Sequence, residues 1–178
     1  MPADRDVSSC ARCRDRRFSF DAAAAAARYA GPARDALMAF KVGGERRASA
    51  DLARAMAAVA HRLGEADTVT FVPATARSMA ARGFNPAEEL ASHVARAVRL
   101  PCARLLRKTM ETADQTDLSR SERARNVRDA FVAGPAPGAR VLLVDDILTT
   151  GATADECARA LRAAGAAQIA ILTFAVAE

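Results

Sequence analysis

Two adjacent carboxylates, Asp145 and Asp146, stand between the apolar run Val141-Leu142-Leu143-Val144 and the stretch Ile147-Leu148-Thr149-Thr150-Gly151-Ala152-Thr153. Ionised carboxylates only accept hydrogen bonds, so a neighbouring pair suits two adjacent hydroxyls, such as a sugar diol, or a metal-bound ligand. Thr149, Thr150, Gly151, Ala152 and Thr153 are small residues that let the backbone approach a ligand closely, and the threonine hydroxyls can donate to anionic oxygens. Asp-Asp alone reads equally as an acidic strand end before a polar turn. The order of apolar run, acid pair and small hydroxyl loop favours a ligand site.

The elements around these residues follow from the pattern. The four apolar residues have the composition of a short strand buried on both faces, with the acids at its end. Asp155 and Glu156 begin a helical pattern in which Cys157, Leu161 and Ala164 share a face and Gly165 is a stop signal. Gln168 to Phe174 reads as the next strand. Strand, loop, helix and strand predict a parallel sheet with a right-handed crossover. The loop then lies at the carboxyl end of a strand and the amino end of a helix. Open α/β sheets bind ligands there, and free N–H groups with the helix dipole favour a phosphate. Phosphate in the Thr149–Thr153 cradle and diol on the acid pair describe a ribose 5-phosphate. The chain carries no Gly-Lys-Ser/Thr after this strand and no Gly-x-Gly-x-x-Gly, so neither a P-loop nor a dinucleotide fingerprint is present.

A second ligand-side loop is expected after the strand Thr68–Val72, which Pro73 ends. It runs through Pro73, Ala74, Thr75, Arg77 and Arg82 to Phe84. The two arginines read either as bidentate phosphate donors or as solvated surface charges. Asn85-Pro86-Ala87-Glu88 is a helix start, with Asn85 as cap and Glu88 placed to close a capping box; Leu90, Val94 and Val98 form its buried stripe. Upstream, Ala22–Ala30 reads as helix by propensity, and Gly31-Pro32 punctuates it. Leu37 and Phe40 give a short apolar face. A longer helix from Glu45 carries Leu52, Met56, Val59 and Leu63 and stops at Gly64. These helices are expected to pack beside the sheet without carrying chemistry. Leu100–Leu106 suggests a short strand after Pro101. Residues 107–128 are polar and charged with few apolar anchors, a lid over a site or a surface insertion. Phe131-Val132 returns to strand, and the turn Gly134–Gly138 leads into the acid-pair strand.

At 178 residues the chain is long enough for one α/β domain with a real core. Its net charge of +5 comes mostly from arginine, since Lys41 and Lys108 are its only lysines. A basic balance suits phosphorylated ligands or nucleic acid. No basic stretch interleaves with aromatics, which gives stacking on single-stranded bases no support. No membrane-length apolar run and no secretory signal is visible, so a cytoplasmic location and no membrane partner are expected. Cys102 and Cys157 are expected to be small buried residues. Cys10-Ala-Arg-Cys13 reads as half of a structural zinc site or as reduced thiols. No second Cys or His pair lies nearby, so zinc is not expected.

The stretch 141–153 resembles the 13-residue signature of type I phosphoribosyltransferases, which use 5-phosphoribosyl 1-diphosphate (PRPP). With Arg82-Gly83-Phe84-Asn85, Thr109, Gln115, Arg123, Asn126 and Phe131, the chain resembles the competence protein F (ComF) family of phosphoribosyltransferase-like proteins. The similarity starts near Tyr29, dividing the chain into an amino-terminal segment, 1–28, and a phosphoribosyltransferase-like domain, 29–178. Cys10 and Cys13 resemble the second half of that family's zinc finger. The resemblance implies a parallel sheet flanked by helices, with Asp145 and Asp146 on the ribose hydroxyls, assisted by indirect contact with Mg²⁺. It puts Thr149–Thr153 on the 5-phosphate, Pro73, Ala74, Thr75 and Arg77 toward the diphosphate, and residues 107–128 in a lid. It also implies a homodimer and either transfer of the phosphoribosyl group or a non-enzymatic role as adaptor or nucleotide sensor in DNA uptake, with DNA-uptake proteins or single-stranded DNA as partners. Two departures stand out: Pro86 replaces the family's usual Gln, and one cysteine pair cannot build a four-thiolate site within this chain.

Overall fold

In the computed structural model, which describes residues 18–42, 46–109 and 129–177, four parallel strands form one sheet in the order β1-β6-β5-β2. The strands are β1 (Ala22–Arg28), β2 (Thr68–Phe71), β5 (Arg140–Leu148) and β6 (Gln168–Val176). A short antiparallel ribbon pairs β3 (Leu106–Lys108) with β4 (Phe131–Ala133). The helices are α1 (Gly31–Lys41), α2 (Ser49–Ala60), α3 (Ala76–Arg82), α4 (Pro86–Val98) and α5 (Ala152–Ala163). Val141–Val144 and Ile169–Ala175 are buried at every position, the pattern of central parallel strands covered on both sides. α2 and α4 pack on one another and on the sheet, while α5 lies against β5, β6 and the β3–β4 ribbon. Leu37, Phe40, Met56, Leu90, Leu143, Leu161, Ile171 and Leu172 are among the large side chains fully enclosed between these layers.

Several sequence expectations are corrected. Ala22–Ala30 is not a helix: β1 occupies Ala22–Arg28 and pairs with β6 from Ala22↔Ala170 to Arg28↔Val176. Alanine's helix preference is worth only tenths of a kcal/mol per residue, and an open ladder beside β6 outweighs it. Residues 22–28 therefore belong to the sheet and not to a separate amino-terminal segment. The acid pair does not follow its strand but lies inside it, because β5 continues to Leu148 through pairing with β6. The next helix starts at Ala152, three residues before the Asp155 expected. The segment after Pro101 makes only a one-residue bridge, Val69↔Cys102, and the strand proper begins at Leu106. Cys102 sits on that outer edge and is exposed, whereas Cys157 is buried as expected. Glu88 is turned to Arg104, with 2.5 Å between Oε1 and Nη2, and does not serve the capping box.

The Asn85 cap and the stop at Gly64 hold. Asn85 caps α4, accepting from Ala87 N at 3.1 Å, while its amide donates to the Val72 carbonyl at 3.0 Å. Gly64 follows the α2 segment, which closes in a short 3₁₀ turn over His61–Leu63. Among the described residues no helix is long and apolar enough to cross a membrane.

Leu143 pairs with Thr70 on one side and Ile171 on the other and has no exposed surface. Leu143→Ala should cost about 3 kcal/mol through lost burial and the cavity left behind. A lower urea midpoint with an unchanged slope is the expected result.

Candidate functional site

The site arises where the β5 ladder becomes one-sided. β2 pairs with β5 from Thr68↔Val141 to Phe71↔Val144, and a last bond runs from Val72 N to Val144 O at 3.0 Å. Beyond it the chain turns away at Pro73, while β6 stays in register through Asp145↔Thr173, Ile147↔Ala175 and Leu148↔Val176. The chain leaving β5 crosses toward β6. The chain leaving β2 runs the other way, through α3 and α4 to the bridge at Cys102. Neighbouring strands with connections departing in opposite directions open a crevice at their carboxyl ends. Asp145, Asp146 and the two loops 73–75 and 149–153 border it.

Successive strand residues point to opposite faces. Asp146 is turned toward α1, where Lys41 Nζ lies 2.7 Å from its Oδ2. Asp145 is on the α5 side, where it helps to push the thiol of buried Cys157 well up from its ordinary value, after burial itself. The pair therefore brackets the strand end from two sides. Burial first, and the Asp146 carboxylate second, push Asp145 up from 3.8 to about 7; a hydrogen bond from Asp146 N to its Oδ1 at 2.8 Å and the Lys41 charge oppose the rise. Lys41 is a residue that the sequence reading missed, and α1, expected only to pack beside the sheet, also brings a charge to the acid pair. The signal was there: a rare lysine in an arginine-rich chain, following the buried Leu37 and Phe40.

The 149–153 loop is held from outside as well. Gly151 caps α5 in the left-handed conformation, with φ +79°, and no side chain caps that helix. A Cβ at Gly151 would lie 3.0 Å from Phe18 Cε1, so the position needs glycine for its backbone and for its neighbour. Phe18 stacks on Phe20 with centroids 4.7 Å apart. Ser19 N donates to Asp155 Oδ1 at 2.6 Å, and Arg162 grips both carboxylate oxygens of Asp21 at 2.6 Å. Thr150 Oγ1 accepts from Ala152 N at 3.3 Å, while Thr149 is exposed at the loop's edge and Thr153 lies in the first turn of α5.

The loop after β2 is less committed. Thr75 caps α3, accepting from Ser78 N at 2.9 Å. Arg77 is exposed in the first turn of α3, and Arg82 is exposed at its opposite end, about 7.5 Å further along the helix axis. A cavity of 400 Å³ borders Gly83, Phe84, Asn85, Glu88, Glu89 and His93 on the outer surface of α4, and neither the acid pair nor the 149–153 loop lines it.

The base of the expected lid is fastened to α5. Thr109 N donates to Ala130 O at 2.9 Å, Asp129 N donates to the buried Glu156 at 2.7 Å, and Arg159 bridges Glu156 and Asp129 at 2.6 Å each. The ends at 109 and 129 thus meet beside the acid-pair side of α5. Residues 110–128, with Gln115, Arg123 and Asn126, lie outside the described residues, as do Cys10 and Cys13.

Asp145 binds its proton more tightly in the folded chain than in the unfolded one. Its contribution to stability is therefore greatest below pH 4 and is lost as pH rises toward 7. Asp145→Asn keeps the acceptor for Asp146 N and removes the charge. It should raise the thermal midpoint at pH 8, by an amount on the order of 2 kcal/mol in stability, with the gain shrinking toward pH 4. Thermal melts of both proteins across that range check it.

Comparison with known proteins agrees with this geometry. The family model described as the phosphoribosyl transferase domain matches residues 46–177. Competence protein F of Haemophilus influenzae is 33% identical over 95 residues, covering 51% of this chain and 42% of its own length. DNA utilization protein YhgH of Salmonella typhi is 35% identical over 109 residues, covering 59% and 47%. The matched part thus spans about half the length of these curated relatives. Among solved structures, glutamine PRPP amidotransferase from Bacillus subtilis, complexed with ADP and GMP, is similar at a TM-score of 0.47 and 28% identity, over 69% of this chain and 25% of that one. With the acid pair, the small-residue loop and the parallel sheet in place, the chain belongs to the phosphoribosyl transferase domain family.

Proposed function

We propose that the crevice binds PRPP and that the chain transfers its 5-phosphoribosyl group. The observation that carries this reading is the acid pair at the open end of β5, beside a small-residue loop that leads into α5. Asp145 and Asp146 would take the ribose hydroxyls, and the N–H groups and hydroxyls of Thr149–Thr153 the 5-phosphate. The loop Pro73-Ala74-Thr75 with Arg77 would face the diphosphate.

Transfer breaks the bond from the anomeric carbon to the diphosphate oxygen, and diphosphate departs with the electron pair as a nucleophile bonds to that carbon. Fixed positive charge at the leaving group is then the largest available stabilisation. The donor set at the acid pair is carboxylate oxygen only, which fits a hard cation such as Mg²⁺ held through the ligand's hydroxyls. Such a cation would neutralise charge growing on the diphosphate. This chain's residues would anchor the sugar, with Asp145 and Asp146 bracketing it from two faces and α5 presenting its amino end to the phosphate.

A second reading draws on the names of the relatives. Similarity to competence protein F and to a DNA utilization protein favours a role in handling DNA, in which the pocket senses a nucleotide or the chain acts as an adaptor for DNA-uptake proteins or single-stranded DNA. A homodimer and a cytoplasmic location accompany either reading.

Calorimetric titration with PRPP, with and without Mg²⁺, separates the two. Saturable binding that is strengthened by Mg²⁺ and weakened at least about 100-fold in Asp145→Asn/Asp146→Asn is expected, since two charge-assisted bonds are removed. Loss of a DNA-utilisation phenotype in that double variant, at normal protein level, would tie the phenotype to the pocket. Retention of the phenotype would favour the adaptor.

A further inference from the structure

We propose that Lys41 is the specificity-determining residue of the crevice, selecting a ribose 5-phosphate that carries a second anionic group on the carbon next to its diol over ribose 5-phosphate itself. The proposal rests on the reading that the crevice takes a ribose 5-phosphate, and it assigns a role to a side chain from outside the signature stretch.

The oxygen count at the acid pair comes first. Of four carboxylate oxygens, Asp145 Oδ1 accepts from Asp146 N at 2.8 Å and Asp146 Oδ2 is taken by Lys41 at 2.7 Å. One oxygen on each residue is left, which matches two hydroxyls. Lys41 thereby sets which edge of the pair a diol meets.

The direction of approach comes second. Lys41 ends α1, whose Leu37 and Phe40 are 1% and 0% exposed, so the helix is anchored in the core. The Phe40 ring lies 5.5 Å from that of Phe84. Phe84 precedes Asn85, whose side chain holds the Val72 carbonyl at 3.0 Å, at the point where β2 turns away. Lys41 thus enters the crevice from the side of the β2 loop, across the acid pair from α5 and the 149–153 loop. Anions at the two ends of one ribose would meet two different devices, the amino end of α5 and the Lys41 ammonium.

Chemistry decides what the ammonium is for. It has three donors, and Asp146 takes one. Its side chain is only 21% exposed, so its charge acts with little screening. A plain diol needs acceptors and no cation. A diphosphate on the anomeric carbon puts negative oxygens one carbon away from the hydroxyl that a carboxylate holds, and an ammonium salt-bridged to that carboxylate stands within reach of them. The cation also offsets the repulsion that two carboxylates would exert on an incoming polyanion.

The full chain would be titrated with PRPP and with ribose 5-phosphate, both in Mg²⁺, alongside Lys41→Gln and Lys41→Arg. Gln keeps a donor for Asp146 and drops the charge; Arg keeps the charge. In K41Q the affinity for PRPP should fall about ten-fold or more while that for ribose 5-phosphate moves by less than about three-fold, and K41R should restore most of the difference. Equal losses for both ligands, or an unchanged PRPP affinity, would overturn the proposal and leave Lys41 as a structural counter-ion. A wild type that binds neither ligand would overturn the reading of the crevice itself. A measurement on the wild type stands if K41Q is unstable: Lys41 and Lys108 are the only lysines, so acetylation at each is resolved by peptide mass. PRPP should protect Lys41 more strongly than ribose 5-phosphate does, and equal protection would count against the assignment.

Discussion

Two like charges on consecutive residues at the end of a buried strand are costly, and much of the fold around the crevice is arranged to hold them. Burial and mutual repulsion both disfavour ionising the pair. The fold answers on three sides. The strand places the two side chains on opposite faces, so they are not forced together. The Asp146 amide donates back to Asp145, and α1 brings an ammonium to Asp146. Asp145 is nevertheless left far above its ordinary value. A site that keeps this cost keeps strong acceptors where ligand hydroxyls would need them, which is the usual reason for perturbed carboxylates in clefts.

The same economy governs the 149–153 loop. Gly151 takes a conformation that other residues rarely adopt, and as the cap of α5 it brings no side-chain acceptor to the first turn. Rigidity comes from elsewhere. Phe18 sits on Gly151, Ser19 ties down Asp155 and Asp21 is clamped by Arg162, so the segment before β1 braces the start of α5. Fastening Asp155 to a backbone donor also satisfies a carboxylate that would otherwise compete with a phosphate for the helix's positive end.

What the sequence showed of this follows from the range of the interactions. The acid pair, the small-residue loop, the Asn85 cap and the stop at Gly64 are local patterns, legible from neighbours a few residues apart. β1 was misread because seven residues with helix preference, six of them alanine, form an edge strand only when β6 is beside them. The acids were read as following the strand because their pairing partners, Thr173 to Val176, lie almost thirty residues on. Lys41 and Phe18 were missed for the same reason, since each meets a partner more than a hundred residues away. Cys102 was read as buried from its residue type, yet an edge bridge leaves it exposed.

The position of the crevice rests on a mismatch in strand length. β5 and β6 each run nine residues, while β2 runs four. Were β2 as long as its neighbour, the edge of β5 beyond Val144 would be covered and the acids would lie in the middle of a ladder. Pro73 ends β2, and Asn85 secures the turn by holding Val72 from the start of α4. The short strand therefore does more than close a sheet edge. It frees Asp145 to Leu148 on one side, admits Lys41 to Asp146, and leaves β6 to hold the strand straight from the other.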